Sequence, residues 1–169
     1  MIESSWPSPG MVRFVDRFSS ALVEGGVPRM PAKVFSLLLA TDSGRLTAAE
    51  LAEQLQASPA AISGAVRYLI QVDLISRGRD PGSRRDHYQV EDDLWHEAIS
   101  SRDNLLVRWE SSLREGLDLL GPKSPAGARI AETIAFFEFV QKEIPEMMER
   151  WRERRAELRA QRGTDGSGR

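Results

Sequence analysis

The chain has 169 residues, 41% of them apolar, no cysteine and a formal net charge of -2. A protein of this length buries about 70% of the surface its unfolded form exposes, so one domain or two small ones are stable without disulfides, and the lack of cysteine excludes thiol nucleophiles and thiolate metal sites. The near-neutral balance excludes nucleic-acid binding by bulk positive charge and leaves only a local basic patch.

Residues 1–8 read as a flexible N-terminus without the charged start and apolar stretch of an export signal, and no apolar run approaches the ~18 residues of a membrane span, so the expected location is the cytoplasm. Met11, Phe14, Val15, Phe18 and Leu22 recur at intervals of three and four, which predicts a first helix within 9–28 that Gly25 and Gly26 end. Its apolar stripe needs a partner, either its own chain or a second copy. A second helix is predicted from about Pro31 through Val34, Leu37 and Leu38 to the Asp42-Ser43-Gly44 turn. Thr47 and Glu50 have the spacing of a capping box, in which the threonine oxygen and the glutamate carboxylate satisfy each other's free backbone N–H groups. The short helix they open carries Leu51, Ala52 and Leu55 and stops near Gln56. Ser58 then caps a fourth helix, with Pro59 at the first position, where its missing N–H costs nothing.

In that helix Ile62, Val66, Leu69 and Ile70 are expected to face inward. Ala60, Ala61, Ser63, Gly64, Arg67 and Tyr68 face solvent or the flanks, and the outer face carries small residues and a single arginine where a merely solvated helix would carry long charged side chains. Small residues permit close approach of another surface: the major groove of DNA admits such a helix, and so does a tightly packed neighbour in the same protein. A hairpin follows, with strands predicted over Leu74–Arg77 and His87–Val90 about an Asp80-Pro81-Gly82-Ser83 turn. Arg79, Arg84 and Arg85 flank its tip and suit a phosphate backbone or a minor groove; the alternative is a solvated turn whose Asp80 and Asp86 pair with those arginines.

Asp92 and Asp93 open a long helix to about Leu120, in which Ile99, Leu106, Leu113 and Leu120 recur at sevens and Trp95 and Trp109 lie on an adjoining line. Gly121 and Pro122 end it. A last helix from Ser124-Pro125 carries Ile130, Ile134, Phe137, Ile144, Met148 and Trp151 in one stripe, and Pro145 is expected to kink or interrupt it. The charged stretch after Arg152 leads into a tail, 161–169, expected to be disordered. No internal repeat is present.

LTAAELAEQLQASPAAISGAVRYLIQVDLISR followed by DPGSRRDHYQV, with helices on both sides, resembles the winged helix-turn-helix regulators of the MarR family, and within it the GbsR-like members. The likeness spans Phe14 to Trp151. It implies a mainly α fold with a small β-hairpin: a winged helix-turn-helix over 29–91, flanked by N-terminal (9–28) and C-terminal (92–160) dimerisation helices. It further implies a homodimer with Ser58, Ala60, Ala61, Ser63, Gly64 and Arg67 in the major groove of double-stranded DNA, and Arg84 and Arg85 on the wing beside it. The side-chain chemistry supplies roles: alanines for thymine methyls, Ser63 for a base edge or phosphate, Arg67 for guanine or a phosphate. Because small residues dominate that face, hydrogen-bonded readout is sparse and DNA shape carries more of the specificity.

The titratable groups do not make an enzyme, since there are only two histidines, no cysteine and no phosphate-cradling glycine loop. His87 and His96 read as solvated surface residues rather than metal ligands, and no cofactor is implied. Trp95, Trp109, Phe136, Phe137 and Phe139 read first as core and interface aromatics, and alternatively as the lining of an effector pocket suited to a cation. The expected function is a dimeric, sequence-specific DNA-binding regulator, a repressor released by a small molecule and reading a pseudo-palindromic operator. Its rival is a winged-helix protein-interaction module without specific DNA binding.

Overall fold

The computed structural model describes residues 8–80, 82, 84–91 and 93–165, with the side chains of all of these except 94–104 and 163–165. In chain order the elements are α1 (Pro9–Glu24), α2 (Arg29–Ala40), β1 (Arg45–Thr47), α3 (Ala48–Gln54), α4 (Pro59–Gln71), β2 (Ser76–Arg79), β3 (Asp86–Gln89), α5 (Leu94–Leu120) and α6 (Pro125–Asp165). They form two compact units, Met1–Ala98 and Ile99–Arg169. The fold is mostly helical with one small antiparallel sheet, as the sequence predicts.

Local chemistry sets the helix starts of the first unit. Ser8 Oγ accepts the Met11 N–H at 3.2 Å and Ser58 Oγ the Ala61 N–H at 3.2 Å, each with a proline at the first helical position. The α2 helix begins at Arg29, so Pro31 occupies its third position instead of its first. That place is still among the four N–H groups a helix start leaves without an internal partner, so proline is tolerated there. Between α3 and α4 the chain reverses through Gln56 at φ 50°, and α4 ends through Asp73 at φ 57°, both left-handed positions more often filled by glycine or asparagine.

The core of this unit lies between α2, α3 and α4, where Phe35, Leu38, Leu51, Ile62 and Leu69 are fully buried. On α4 the buried stripe is Ile62, Ala65, Val66 and Leu69, which corrects the expected inner face: Ile70 is 37% exposed and Ala65 takes its place. The reason is angular. Ile70 lies about 100° round the helix from Leu69, at the edge of a stripe centred on 62, 66 and 69. From α1, Val15 enters the same core, and the Phe18 and Phe35 ring centroids are 6.4 Å apart. The first helix, expected as a dimerisation element, is thus seated on α2 by one side, while Val12, Phe14 and Val23 on its other sides stay exposed.

The sheet has the order β1-β3-β2. Register pairs Leu46 with Tyr88, Thr47 with His87, and His87 in turn with Gly78. The sequence predicts only the β2–β3 hairpin; β1, at three residues, is too short to show an alternating pattern. Both predicted strands also shift towards the tip. Leu74 donates its N–H to Leu69 O at 2.9 Å in the closing turn of α4, and Val90 donates to Gly44 O at 3.0 Å, so neither belongs to the hairpin ladder.

In the second unit α5 and α6 run back along each other. Glu110 meets Gln141, Arg114 meets Glu138, and Gly116 lies beside Ile130. Gly127 is required at the connection, because a Cβ there would overlap the Gly121 carbonyl. Pro145 does not interrupt α6, and the helix continues to Asp165, beyond the expected end at residue 160. Pairs three apart, Arg154 with Glu157 at 2.9 Å and Arg152 with Glu149, support the charged end. Only part of the expected stripe is covered within one chain. Ile134 and Met148 are buried, Leu106 and Leu113 are half-buried, and Leu120 is 55% exposed. Ile99 lies outside the described side chains, and residues 1–7 and 166–169 outside the described chain.

Because Phe35 is fully enclosed by α1, α2 and α4, Phe35→Ala is expected to lower unfolding free energy by about 3–5 kcal/mol, read from urea denaturation.

Candidate nucleic-acid interface

The buried stripe of α4 turns its opposite side outward. Ser58, Ala60, Ser63, Gly64 and Arg67 are exposed and Ala61 is half-buried, so the structure brings all six expected residues onto one open helical face. Gly64 has nothing within 4 Å of where a Cβ would stand, so its small size leaves room for something outside the chain. Arg67 makes no hydrogen bond or ion pair among the described residues and is available to an anion.

The wing arginines are not equivalent. Asp86 on β3 accepts hydrogen bonds from Arg79 Nε at 2.8 Å and Arg77 Nε at 2.9 Å, and these two guanidinium groups hold its carboxyl below the usual carboxylate range. The alternative of internally paired tip arginines therefore holds for Arg79, and Arg77, which lies outside that alternative, is paired with the same carboxylate. Asp80 is also paired, with Arg45 at 3.1 Å. Arg45 was not among the expected residues, since the strand that presents it leaves no readable pattern in the sequence. Arg84 is exposed at the tip and makes no hydrogen bond or ion pair among the described residues. Arg85 lines a shallow groove with Thr47, Ala48 and Tyr88, on the side of the α3 N-terminus. Pro81 and Ser83 lie outside the described residues.

That N-terminus is closed by the expected capping box. The Thr47 N–H donates to Glu50 Oε2 at 2.7 Å, the Thr47 hydroxyl donates to it at 2.8 Å, and Thr47 Oγ1 accepts the Glu50 N–H at 3.3 Å. The Thr47 backbone bond, then the hydroxyl, then the nearby Arg85 charge hold the Glu50 carboxyl below its ordinary value.

His87, expected at the solvated surface, is buried, which is a correction. Its ring fills the space beside Gly78, the residue opposite it in register, where a Cβ would stand 2.5 Å from Nε2. The Ser-Arg-Gly-Arg strand makes that room, a signal visible in sequence only once the register is known. The side chains of Trp95 and His96 lie outside the described residues. Trp109 and Phe137 have ring centroids 6.2 Å apart, as do Phe136 and Phe137, but Trp109, Phe136 and Phe139 are each more than half exposed. Among the described residues a cavity of about 110 Å³ lies elsewhere, bounded by Val15, Asp16, Lys33, Leu37, Gln54 and Leu55.

Two helices joined by a sharp turn, the second with an exposed small-residue face, and an arginine-bearing hairpin backed by a third strand define a winged helix-turn-helix protein. Residues 26–86 match the model of the MarR family, and residues 93–154 match that of MmpR5-like MarR family transcriptional regulators. The chain belongs to the MarR family of winged-helix transcriptional regulators, which are non-enzymatic DNA-binding proteins. It is similar to the HTH-type transcriptional regulator MmpR5 of Mycobacterium tuberculosis, at 23% identity over 157 residues, covering 92% of this chain and 95% of that one. A crystal structure of a transcriptional regulator shares its fold with a TM-score of 0.77 and 23% identity, covering 86% of this chain and 99% of that chain. No described helix is long and apolar enough to cross a membrane.

A depressed carboxyl contributes stability above its unfolded value, near 4.5 for Glu50, and loses it as pH falls through the lower folded value. Glu50→Gln keeps an acceptor for the cap but cannot titrate. Between about pH 5 and about pH 3 its melting temperature is expected to fall less than that of the parent.

Proposed function

We propose that the protein is a homodimeric, sequence-specific DNA-binding repressor that places α4 in the major groove and the wing against the neighbouring backbone. The observation that carries this reading is the exposed α4 face, with small residues and an unengaged Arg67 held rigidly by a buried opposite face. The site residues are Ser58, Ala60, Ala61, Ser63, Gly64 and Arg67 on α4 and Arg84 and Arg85 on the wing. Arg79 is demoted to a minor contributor because Asp86 already neutralises part of its charge. Dimerisation is supported by the apolar surface that one chain leaves uncovered on α1, α5 and α6, including Phe14, Trp109, Phe136 and Phe139. The C-terminal match favours an MmpR5-like assignment over the GbsR-like one expected from the sequence. Release by a small-molecule effector completes the reading; the cavity beside Gln54 and the Trp109–Phe137 pair are the features that support it.

A dimer with two recognition helices reads half-sites about one helical turn, roughly 10 base pairs, apart. Fluorescence anisotropy with the DNA upstream of its own gene, repeated across salt concentrations, tests this. The Arg84→Ala, Arg85→Ala double variant is expected to weaken binding to every sequence and to flatten the salt slope, by about 0.9 for each phosphate it no longer neutralises. Arg67→Ala is expected to cost ~1–3 kcal/mol and relax specificity at one position. Undiminished binding by the double variant at moderate salt would refute the wing assignment, and the absence of binding to any DNA would favour a protein-interaction module. In light scattering the parent is expected as two chains per particle, with a Phe136→Asp, Phe139→Asp variant shifted to one.

A further inference from the structure

We infer that Asp86 is a specificity-determining residue that acts by restraint: it keeps Arg77 and Arg79 from binding DNA phosphates, so that the chain holds DNA of arbitrary sequence weakly. This inference rests on the DNA-binding reading above and adds to it a residue that limits non-specific attraction.

The cross-strand register brings the three side chains together. Arg79 of β2 stands directly opposite Asp86 of β3, and Arg77 is the diagonal neighbour two positions along, opposite Tyr88. Side chains alternate across a strand, so these four, with Leu46 of β1 on the other side of Tyr88, share one face of the sheet. Leu46 and Tyr88 pack into the core, which anchors β3 and fixes the place of Asp86.

Both carboxylate oxygens are engaged. Oδ1 accepts from Arg79 Nε at 2.8 Å, with Arg79 Nη2 also 2.8 Å away, and Oδ2 accepts from Arg77 Nε at 2.9 Å and from Arg77 Nη2. Each guanidinium thus turns a two-nitrogen edge towards the carboxylate, the geometry that also suits a phosphate. The Asp86 side chain is 21% exposed, while those of Arg77 and Arg79 are 58% and 60% exposed. The arginines are within reach of a ligand, and the carboxylate is sheltered between them. A phosphate arriving there has to displace or share with an anion already bound, and it meets a group of net charge +1 in place of +2. Asp80 restrains Arg45 through one contact at 3.1 Å between two half-exposed side chains, a weaker version of the same arrangement.

Non-specific affinity grows with the number of phosphates neutralised, because each one releases counterions whatever the sequence. Specificity is a difference between two affinities. On an operator the wing is set by the seating of α4, whereas a complex that slides along arbitrary DNA can use any open cation. Withholding two cations therefore weakens the second complex more than the first. Arg67 on α4 and Arg84 at the tip, which make no ion pair among the described residues, stay open to DNA.

The test is anisotropy across salt concentrations with the DNA upstream of its own gene and with a random-sequence duplex of equal length, beside retention on heparin, a polyanion without bases. Asp86→Asn keeps the shape of the side chain and removes its charge, and since exposed ion pairs contribute little to folding its melting temperature is expected to stay near that of the parent. Asp86→Ser serves as a second variant and is expected to behave alike. Each is expected to bind the random duplex about five- to tenfold more tightly, with a salt slope steeper by about 0.9 for each phosphate newly neutralised. The gain on the upstream DNA is expected to be smaller, and elution from heparin to need more salt than for the parent. Asp80→Asn, which removes one wing charge but frees one arginine, is expected to steepen the slope about half as much. Adding Arg77→Gln and Arg79→Gln to Asp86→Asn is expected to abolish the gain, which assigns it to the released arginines. The inference is overturned if folded Asp86 variants bind the random duplex no more tightly than the parent, or more weakly, as they would if Asp86 aimed the arginines at phosphates. Equal gains on the two DNAs, or a gain that survives the arginine substitutions, would overturn it as well. A parent that binds neither DNA at low salt would defeat the functional reading, while heparin retention would still decide whether Asp86 restrains the two arginines.

Discussion

Ile62, Ala65, Val66 and Leu69 of α4 are held against α2 and α3, and the orientation of the exposed α4 face follows from that contact. A helix with one fully buried stripe has a single rotational setting, because turning it by one residue would expose a core side chain and bury a polar one. The outward row from Ser58 to Arg67 is therefore held as firmly as the core itself. Helix caps and the turn at Gln56 fix where the helix starts, but the apolar contact fixes where it points.

Charge on the wing is managed rather than maximised. One carboxylate, Asp86, holds Arg77 and Arg79, and another, Asp80, holds Arg45, so a hairpin rich in arginine presents less free positive charge than its composition suggests. These pairs are surface ion pairs, which contribute little to folding, but they set the positions of long side chains that would otherwise sweep freely. The arrangement suits a protein with no excess of positive charge overall, whose attraction for a polyanion must be local. Beneath that layer, the buried His87 and its bonded glutamine and glutamate give the same small sheet a polar interior.

The helical regions outside the core of the first unit carry the opposite imbalance. In α5 and α6 much of the apolar surface is uncovered in one chain, and the Glu110–Arg114–Glu138 cluster with Gln141 is what ties the two helices in register. Arg114 keeps the Glu110 carboxyl below its usual range, as expected for a charge-assisted bond between helices. Apolar faces of this extent are stable when a second surface covers them, and a symmetric copy is the surface that the proposed dimer would supply.

The sequence by itself determined the starts of α3 and α4, the helix-turn-helix spacing and the outward row of Ser58, Ala60, Ser63, Gly64 and Arg67. Each depends on neighbours within a few positions: Thr47 with Glu50, Ser58 with Pro59, or an apolar period of three and four. What only the tertiary structure decided are features that join distant positions. β1 exists because Leu46 finds Tyr88, His87 is buried because Gly78 stands opposite it, and Asp86 belongs to Arg77 as much as to Arg79 through cross-strand geometry. The exchange of Ala65 for Ile70 in the core has the same origin, since local periodicity sets the stripe but the neighbouring helices set its edges. Local order is written in adjacent residues; which arginine remains free, and which histidine is enclosed, is written in the pairing of strands.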